Sequence, residues 1–245
     1  FDEFVSWPEL ADLSLEEQVE LFRREGINCK TSWFREWTAL AILRTMIVPE
    51  YDERRVIRLA SVGCSGGNEP YSVVLDNWEN RDRLAVSCFD VDPNLLSHAE
   101  EGRYRLCDIP DKDYDKMQKR VPRIEDAVRI IGREIDPEFG WPYLDVELTQ
   151  EAKKNLSFSV HDILERPLPE KQDVIFLLNV LLHYSKAGRK RILRNVYESL
   201  EDGGWLVCEM AHHHDWDRSV SDYSAWMMNL EHLGFEKQRA PLPGM

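Results

Sequence analysis

Apolar positions divide the chain into two regimes. Up to about residue 50 the spacing is helical. Leu15, Val19, Leu21 and Phe22 recur on one face over residues 15–24, with Ser14 as cap, Glu16 and Glu17 in the first turn and Gly26 at the end. A second helix is predicted over 32–47, stopping before Pro49. From 56 onward, short apolar runs alternate with helical stretches. The runs at 56–62, 84–90, 156–160, 173–178, 205–210 and 235–239 are predicted strands, and 71–77, 93–101, 186–200 and 221–233 predicted helices. Near-continuous runs such as Val174-Ile175-Phe176-Leu177-Leu178 suit strands of a parallel sheet covered on both faces. The expected fold is therefore α/β, a doubly wound and mostly parallel sheet. Residues 1–50 read as a helical N-terminal region and 51–245 as the main domain.

One stretch breaks the alternation. Residues 103–153 are charged and rich in Pro, Asp and Lys, and too long for a plain loop in a compact domain. A small inserted subdomain is expected there, with short strands at 129–132 and 143–146.

Composition narrows the function classes. With 245 residues, 43% hydrophobic and 31% charged, the chain can build a full core. No apolar run approaches the ~18 residues of a membrane span, so no membrane insertion is expected. A net charge of -14 argues against nucleic acid as the main partner and against anionic membranes. The five cysteines, Cys29, Cys64, Cys88, Cys107 and Cys208, contain no CxxC pair. Cys88 and Cys208 fall in apolar strand patterns and read as small core residues, which places the protein in a reducing cytoplasm. There is no signal-peptide pattern, and the sequence begins at Phe1, which leaves its native start open.

The first predicted strand runs into Gly63-Cys64-Ser65-Gly66-Gly67-Asn68-Glu69-Pro70-Tyr71-Ser72 and then a helix, the front half of a nucleotide-binding unit. Gly63, Gly66 and Gly67 allow a tight turn and close approach of a ligand. A phosphate-binding turn wants bare N–H groups and no acid. Glu69 instead suits a ligand with positive charge and no phosphate, such as S-adenosylmethionine. A plain strand-to-helix turn with Glu69 as a helix-start acid accounts for the same residues. Asp90 ends the second strand, where an acid accepts hydrogen bonds from both ribose hydroxyls; NAD enzymes share this acid, but their GxGxxG is absent. Asp92 with Pro93 starts the next helix. After the third strand, Asp162 suits the adenine amino group and Ile163 the ring face, although an ordinary strand-end turn explains an aspartate equally well.

Together these segments resemble the CheR family, S-adenosylmethionine-dependent methyltransferases that methylate glutamate side chains of chemotaxis receptors. The glycine segment is similar to that family's GCSTGEEPYS. Asp90-Val91-Asp92 resembles its DID, and Ala99-Glu100-Glu101-Gly102-Arg103-Tyr104 its A-x-x-G-x-Y. Residues 158–164 resemble FxxHNLL, residues 172–184 resemble FDLIFCRNVLIYF, and Thr31-Ser32-Trp33-Phe34-Arg35 resembles T-x-F-F-R. The resemblance implies a class I, Rossmann-like methyltransferase with a small β subdomain where the alternation breaks. It implies cofactor contacts at Thr31, Arg35, Glu69, Asp90, Asp162 and Ile163, with S-adenosylmethionine as methyl donor and S-adenosylhomocysteine as product; Gly63 and Asn179 are expected beside them in the cofactor site. Arg35 lies near the reaction site in this family.

The chain departs from the family at the acceptor end. The arginine before the motif's asparagine is Leu178 here, the tyrosine is His183, Tyr184 stands beside it, and GHSE after the fifth strand reads Glu209-Met210-Ala211-His212. Arg35, His183 and Tyr184 are the expected catalytic residues. A carboxylate acceptor is ionised at neutral pH and needs no base, whereas a hydroxyl or ammonium must lose a proton. The expected acceptor is a protein carboxylate. The alternative is an oxygen or nitrogen nucleophile of a small molecule or another protein, with His183 as base, and a non-catalytic cofactor-sensing module is a third reading. His212, His213, His214 and Asp215 read as solvated loop residues and no metal is expected. Trp33, Trp205, Trp216 and Trp226 read as core or as an aromatic acceptor pocket. Oligomeric state is not encoded in these patterns.

Overall fold

A computed structural model describes residues 17, 31–137, 140–208 and 235–236. Five parallel strands form the central sheet: β1 (Ile57–Val62), β2 (Leu84–Asp90), β6 (Leu156–Val160), β7 (Gln172–Leu177) and β8 (Leu200–Cys208). Their order is β6-β2-β1-β7-β8, with β1 central and paired to β2 from Ile57↔Leu84 to Val62↔Phe89. The order reverses at β1, which makes the sheet a doubly wound, Rossmann-like one and opens a crevice beyond the strand C-termini between β1 and β7. Every residue of β7 is buried, the polar Gln172 and Asp173 as well as the apolar run from Val174 to Leu177. Among the described residues no helix is long and apolar enough to cross a membrane.

Several elements shift from their sequence-based positions for identifiable reasons. The helix after the glycine turn, α3 (Asn68–Asp76), starts three residues before its expected start, because Pro70 in the first turn needs no N–H partner. Helix α1 (Trp37–Ile42) begins only at Trp37 rather than 32, continues as a π-helical turn Leu43–Ile47, and passes Pro49 in α2 (Val48–Glu50). Proline at N1/N2 of that last turn is tolerated there, and burial of Leu43, Ile47 and Val48 in the core holds the turn together. β8 begins at Leu200, with a register shift in β7 between Gln172 and Val174 before regular pairing resumes at Trp205. Helix α4 (Pro93–Glu101) has its expected bounds, capped by Asp92, whose carboxylate accepts from Asn94 N at 2.9 Å. The predicted helix at 15–24, except Glu17, the helix at 221–233 and residues 237–239 of the last predicted strand lie outside the described residues.

The stretch after α4 forms a three-stranded antiparallel sheet, β3 (Arg103–Cys107), β4 (Val128–Ile135) and β5 (Pro142–Leu148), in the order β3-β5-β4. Two of its strands extend the predicted short ones, and β3 is additional. Leu106, Leu144, Val146 and Leu148 join the same buried cluster as Tyr71, Leu75 and Trp33. The insert thus shares the main core. Tyr104 carries that contact to the crevice: its hydroxyl donates to Gly66 O at 2.7 Å, and its ring meets Trp33 edge-on at 4.9 Å.

Candidate active site

The strand ends supply the site. After β1 the chain turns at Gly63, with φ 73°, and Gly63 N and Cys64 N both donate to Phe89 O, at 2.7 and 3.0 Å. A Cβ on Gly63 would stand 2.5 Å from Val180 Cγ2, so only glycine lets this turn lie against the segment after β7. Gly67, at φ 88°, is the N-terminal cap of α3 and places Glu69 in the first helical turn. Glu69 is therefore both a helix-start acid and a lining residue of the crevice.

Glu69 accepts a hydrogen bond from Ser61 Oγ at 2.7 Å. Burial pushes its carboxyl up to about 8; the Ser61 hydroxyl pulls it back, Glu36 pushes it further up and Arg35 lowers it. Asp90 accepts from Ser65 N at 2.8 Å through one oxygen and from Asp92 N at 3.0 Å through the other. Burial raises its carboxyl while the backbone N–H groups of Asp92, Ser65 and Val91 oppose the rise. Ser65 itself holds φ 51°, so this bond steadies a left-handed backbone. Asp162 Oδ1 accepts from Leu164 N at 2.8 Å, and Ile163 is buried beside it. His161 donates to or accepts from no side chain in this constellation; its Nε2 meets Arg166 O at 3.1 Å, and burial lowers its basicity.

The N-terminal turn closes the crevice. Phe34 adopts φ 53° and donates from its N–H to Ser72 Oγ at 2.9 Å, while Ser72 Oγ donates to Asn68 O at 2.6 Å. Arg120 lies 4.2 Å over the Phe34 ring. This pins Thr31, Arg35 and Glu36 over the glycine turn. Arg35 Nε meets Glu36 Oε1 at 3.3 Å, and Asn179 Nδ2 donates to the same oxygen at 3.0 Å.

All ten sequence-derived residues, Thr31, Arg35, Gly63, Glu69, Asp90, Asp162, Ile163, Asn179, His183 and Tyr184, line one cavity of about 210 Å³. Leu178, buried, forms part of the same wall. Tyr184 is buried, and burial together with Asp162 and Asp90 raises its phenol, so it stays neutral. His183 sits in a 3-10 turn, Leu181–His183, half-buried at the wall. Two contributors escape sequence reasoning, Glu36 and Ser61, which carry no motif of their own; Tyr104, which closes the A-x-x-G-x-Y segment, acts from the insert. Trp33 is buried in the core, Trp205 packs half-buried against it, and Trp216, Trp226 and His212, His213 and His214 lie outside the described residues.

The donor set fits S-adenosylmethionine. Among the described residues the lining carboxylates are Glu36, Glu69, Asp90, Asp92 and Asp162, and the one lysine or arginine of the lining is Arg35. Such a surface repels phosphate and accepts an ammonium, a sulfonium and hydroxyl donors.

The family described as "CheR methyltransferase, SAM binding domain" matches residues 29–218. A chemotaxis protein methyltransferase of Vibrio anguillarum is 24% identical over 193 residues, 73% of this chain and 62% of that protein. One of Listeria innocua is 25% identical over 212 residues, 84% of this chain and 72% of that protein. The chain spans 59–62% of the length of the first Vibrio relatives. Among solved structures, the methyltransferase domain of bacterial CtHen1-C overlays with a TM-score of 0.47 at 12% identity, covering 81% of this chain and 82% of that one.

Proposed function

This chain belongs to the CheR methyltransferase family, whose S-adenosylmethionine-binding domain it carries, and on that premise we propose that it methylates an acceptor held against Arg35, Leu178 and His183. The observation that supports this reading is the enclosed Glu69 carboxylate, facing a cavity with four further carboxylates and one guanidinium. The cofactor, when bound, supplies an electrophilic methyl on a sulfonium. Glu69 would hold its ammonium, Asp90 its ribose hydroxyls, and Asp162 and Ile163 its adenine. Arg35, paired with Glu36 at the cavity wall, would meet the acceptor.

The acceptor of first choice is a protein carboxylate, in line with the chemotaxis relatives. Leu178 favours a second reading. Its buried aliphatic side chain offers no charge to pair an anionic acceptor, and half-buried His183 offers an imidazole able to take a proton. An oxygen or nitrogen nucleophile, on a small molecule or another protein, uses both features. Labelled-methyl transfer over extracts of the source organism tests the proposal. A product that releases methanol in mild alkali is an ester and supports the carboxylate. An alkali-stable product supports the second reading. Absence of transfer together with cofactor binding supports a non-catalytic sensing module instead.

A further inference from the structure

Ser61 is a polar residue in the middle of an otherwise apolar central strand. It is fully buried, and its hydroxyl donates to Glu69 Oε1 at 2.7 Å. A hydroxyl in that place gains nothing from the core around it, since burying it without a partner is costly. The hydrogen-bond partner of its hydroxyl among the described residues is the carboxylate that the cofactor reading assigns to the ligand's ammonium.

We infer that Ser61 is a positioning residue for the cofactor: it holds Glu69 in the orientation and ionisation that a cationic ligand requires, so that binding releases a proton and Ser61 sets the pH at which it does so. The inference rests on the S-adenosylmethionine reading of the cavity and concerns Glu69 alone.

The groups facing Glu69 make the arrangement responsive. Glu36 and Arg35 approach from the N-terminal turn with opposite charges. Cys64 from the glycine turn and Cys88 from β2 are thiols that burial keeps neutral, and the charge of Glu69 raises both further. Ser61 donates a hydrogen bond to Glu69, and a donated hydrogen bond favours the ionised carboxylate. Against it stands burial, which pushes Glu69 up to about 8. At neutral pH the ligand-free carboxyl is therefore largely protonated. An arriving ammonium favours the ionised form, and the proton leaves to solvent.

Calorimetric titration of the whole chain with S-adenosylhomocysteine tests this, from roughly pH 6 to roughly pH 8.5, in buffers of contrasting ionisation enthalpy. The wild type should release a substantial fraction of one proton at neutral pH, and its affinity should rise with pH and level off near 8. Ser61→Ala should move the levelling-off point upward and weaken binding about tenfold at neutral pH, with the gap narrowing in alkali. Parallel profiles for Ser61→Ala and wild type, or binding without proton release, would overturn the inference. Should Ser61→Ala fail to fold, Ser61→Cys decides. The thiol fills the same place but is only a weak donor, so a levelling-off point moved upward supports the inference and a wild-type profile overturns it. A wild type that binds no S-adenosylhomocysteine at any pH overturns the cofactor reading itself, an outcome distinct from binding that ignores pH.

Discussion

Asn179 and Glu36, 143 residues apart, are joined by a hydrogen bond of 3.0 Å from Nδ2 to Oε1. Asn179 holds φ 59°, a left-handed backbone, and its Oδ1 is buried without a hydrogen-bond partner among the described residues. Because Glu36 is acceptor-only, the amide has one sensible orientation. The bond fastens the end of β7 to the N-terminal turn and fixes the carboxylate that steers Arg35. A strained, conformationally unusual residue at a cavity wall is where a functional constraint outweighs local stability.

Asn179→Gly should therefore keep the backbone and lose the clamp, whereas Asn179→Ala loses both, at an added cost of about 1 kcal/mol. Both should weaken S-adenosylhomocysteine binding about tenfold, and only the alanine variant should melt at lower temperature than expected from the lost bond. Wild-type affinity in the glycine variant would show that the clamp does not serve the cofactor.

Gly63→Ala places a methyl 2.5 Å from Val180 Cγ2 at φ 73°. Two costs add: overpacking of about 1–3 kcal/mol and about 1 kcal/mol for the backbone. The substitution should lower the melting temperature and abolish measurable cofactor binding. Adding Val180→Ala removes the steric part only, so the double variant should recover some stability. No recovery would place the whole cost in the backbone.

Much of the site was legible because its parts are local. The strand ends at Asp90 and Asp162 and the turn at Gly63 follow from apolar runs and small residues that sit next to each other in sequence. What escaped has no local signature. Phe34 adopts φ 53° without a glycine to announce it, because Ser72, on a helix 38 residues away, receives its N–H. For that reason α1 begins at Trp37, and Thr31 to Glu36 become a turn over the cavity rather than the first turns of a helix. Ser61 reads as a small core residue until its partner is known. β3 alternates buried and exposed positions in only five residues, too few for a periodicity to stand out from its charged surroundings.

Glu69 should also limit stability in the absence of ligand. Its folded-state value near 8 lies above that of an unfolded glutamate, so its contribution is fully present below the unfolded value, near 4.5, and is lost as pH rises through about 8. Glu69→Gln should raise the melting temperature of the ligand-free protein in mild alkali, by roughly 5 °C, and remove the stabilisation by S-adenosylhomocysteine. An unchanged or lower melting temperature at that pH would mean that the carboxylate is better accommodated than its burial implies.

Asp173 shows the opposite sign. It is 1% exposed, accepts from Arg58 N at 2.9 Å and Arg55 Nη2 at 2.5 Å, and joins β7 to the chain entering β1. Burial alone would raise its carboxyl, but the side-chain and backbone donors of Arg58, with Arg55 beyond them, hold it below the usual range. Its stabilisation is present above the unfolded value and is lost as pH falls through the folded one. Asp173→Asn should destabilise by about 2 kcal/mol at neutral pH, and the loss should shrink as the pH is lowered toward 3. A loss independent of pH would assign the effect to packing rather than charge.

His183 separates the two acceptor readings. It lines the cavity with buried Leu178 and a Tyr184 phenol that burial keeps neutral, so among these three wall residues it is the side chain able to take up a proton. A carboxylate acceptor needs no base, and His183→Phe would then alter turnover only a few-fold through shape. An amine or hydroxyl acceptor must lose a proton, and the same change should cut turnover by about 10²-fold or more while cofactor affinity falls far less. The pH–rate profile adds a second readout: the rising limb set by the imidazole should disappear in the variant. Equal losses in turnover and cofactor affinity would make His183 a wall of the cofactor site, and the proton would have to leave by a route that does not involve it.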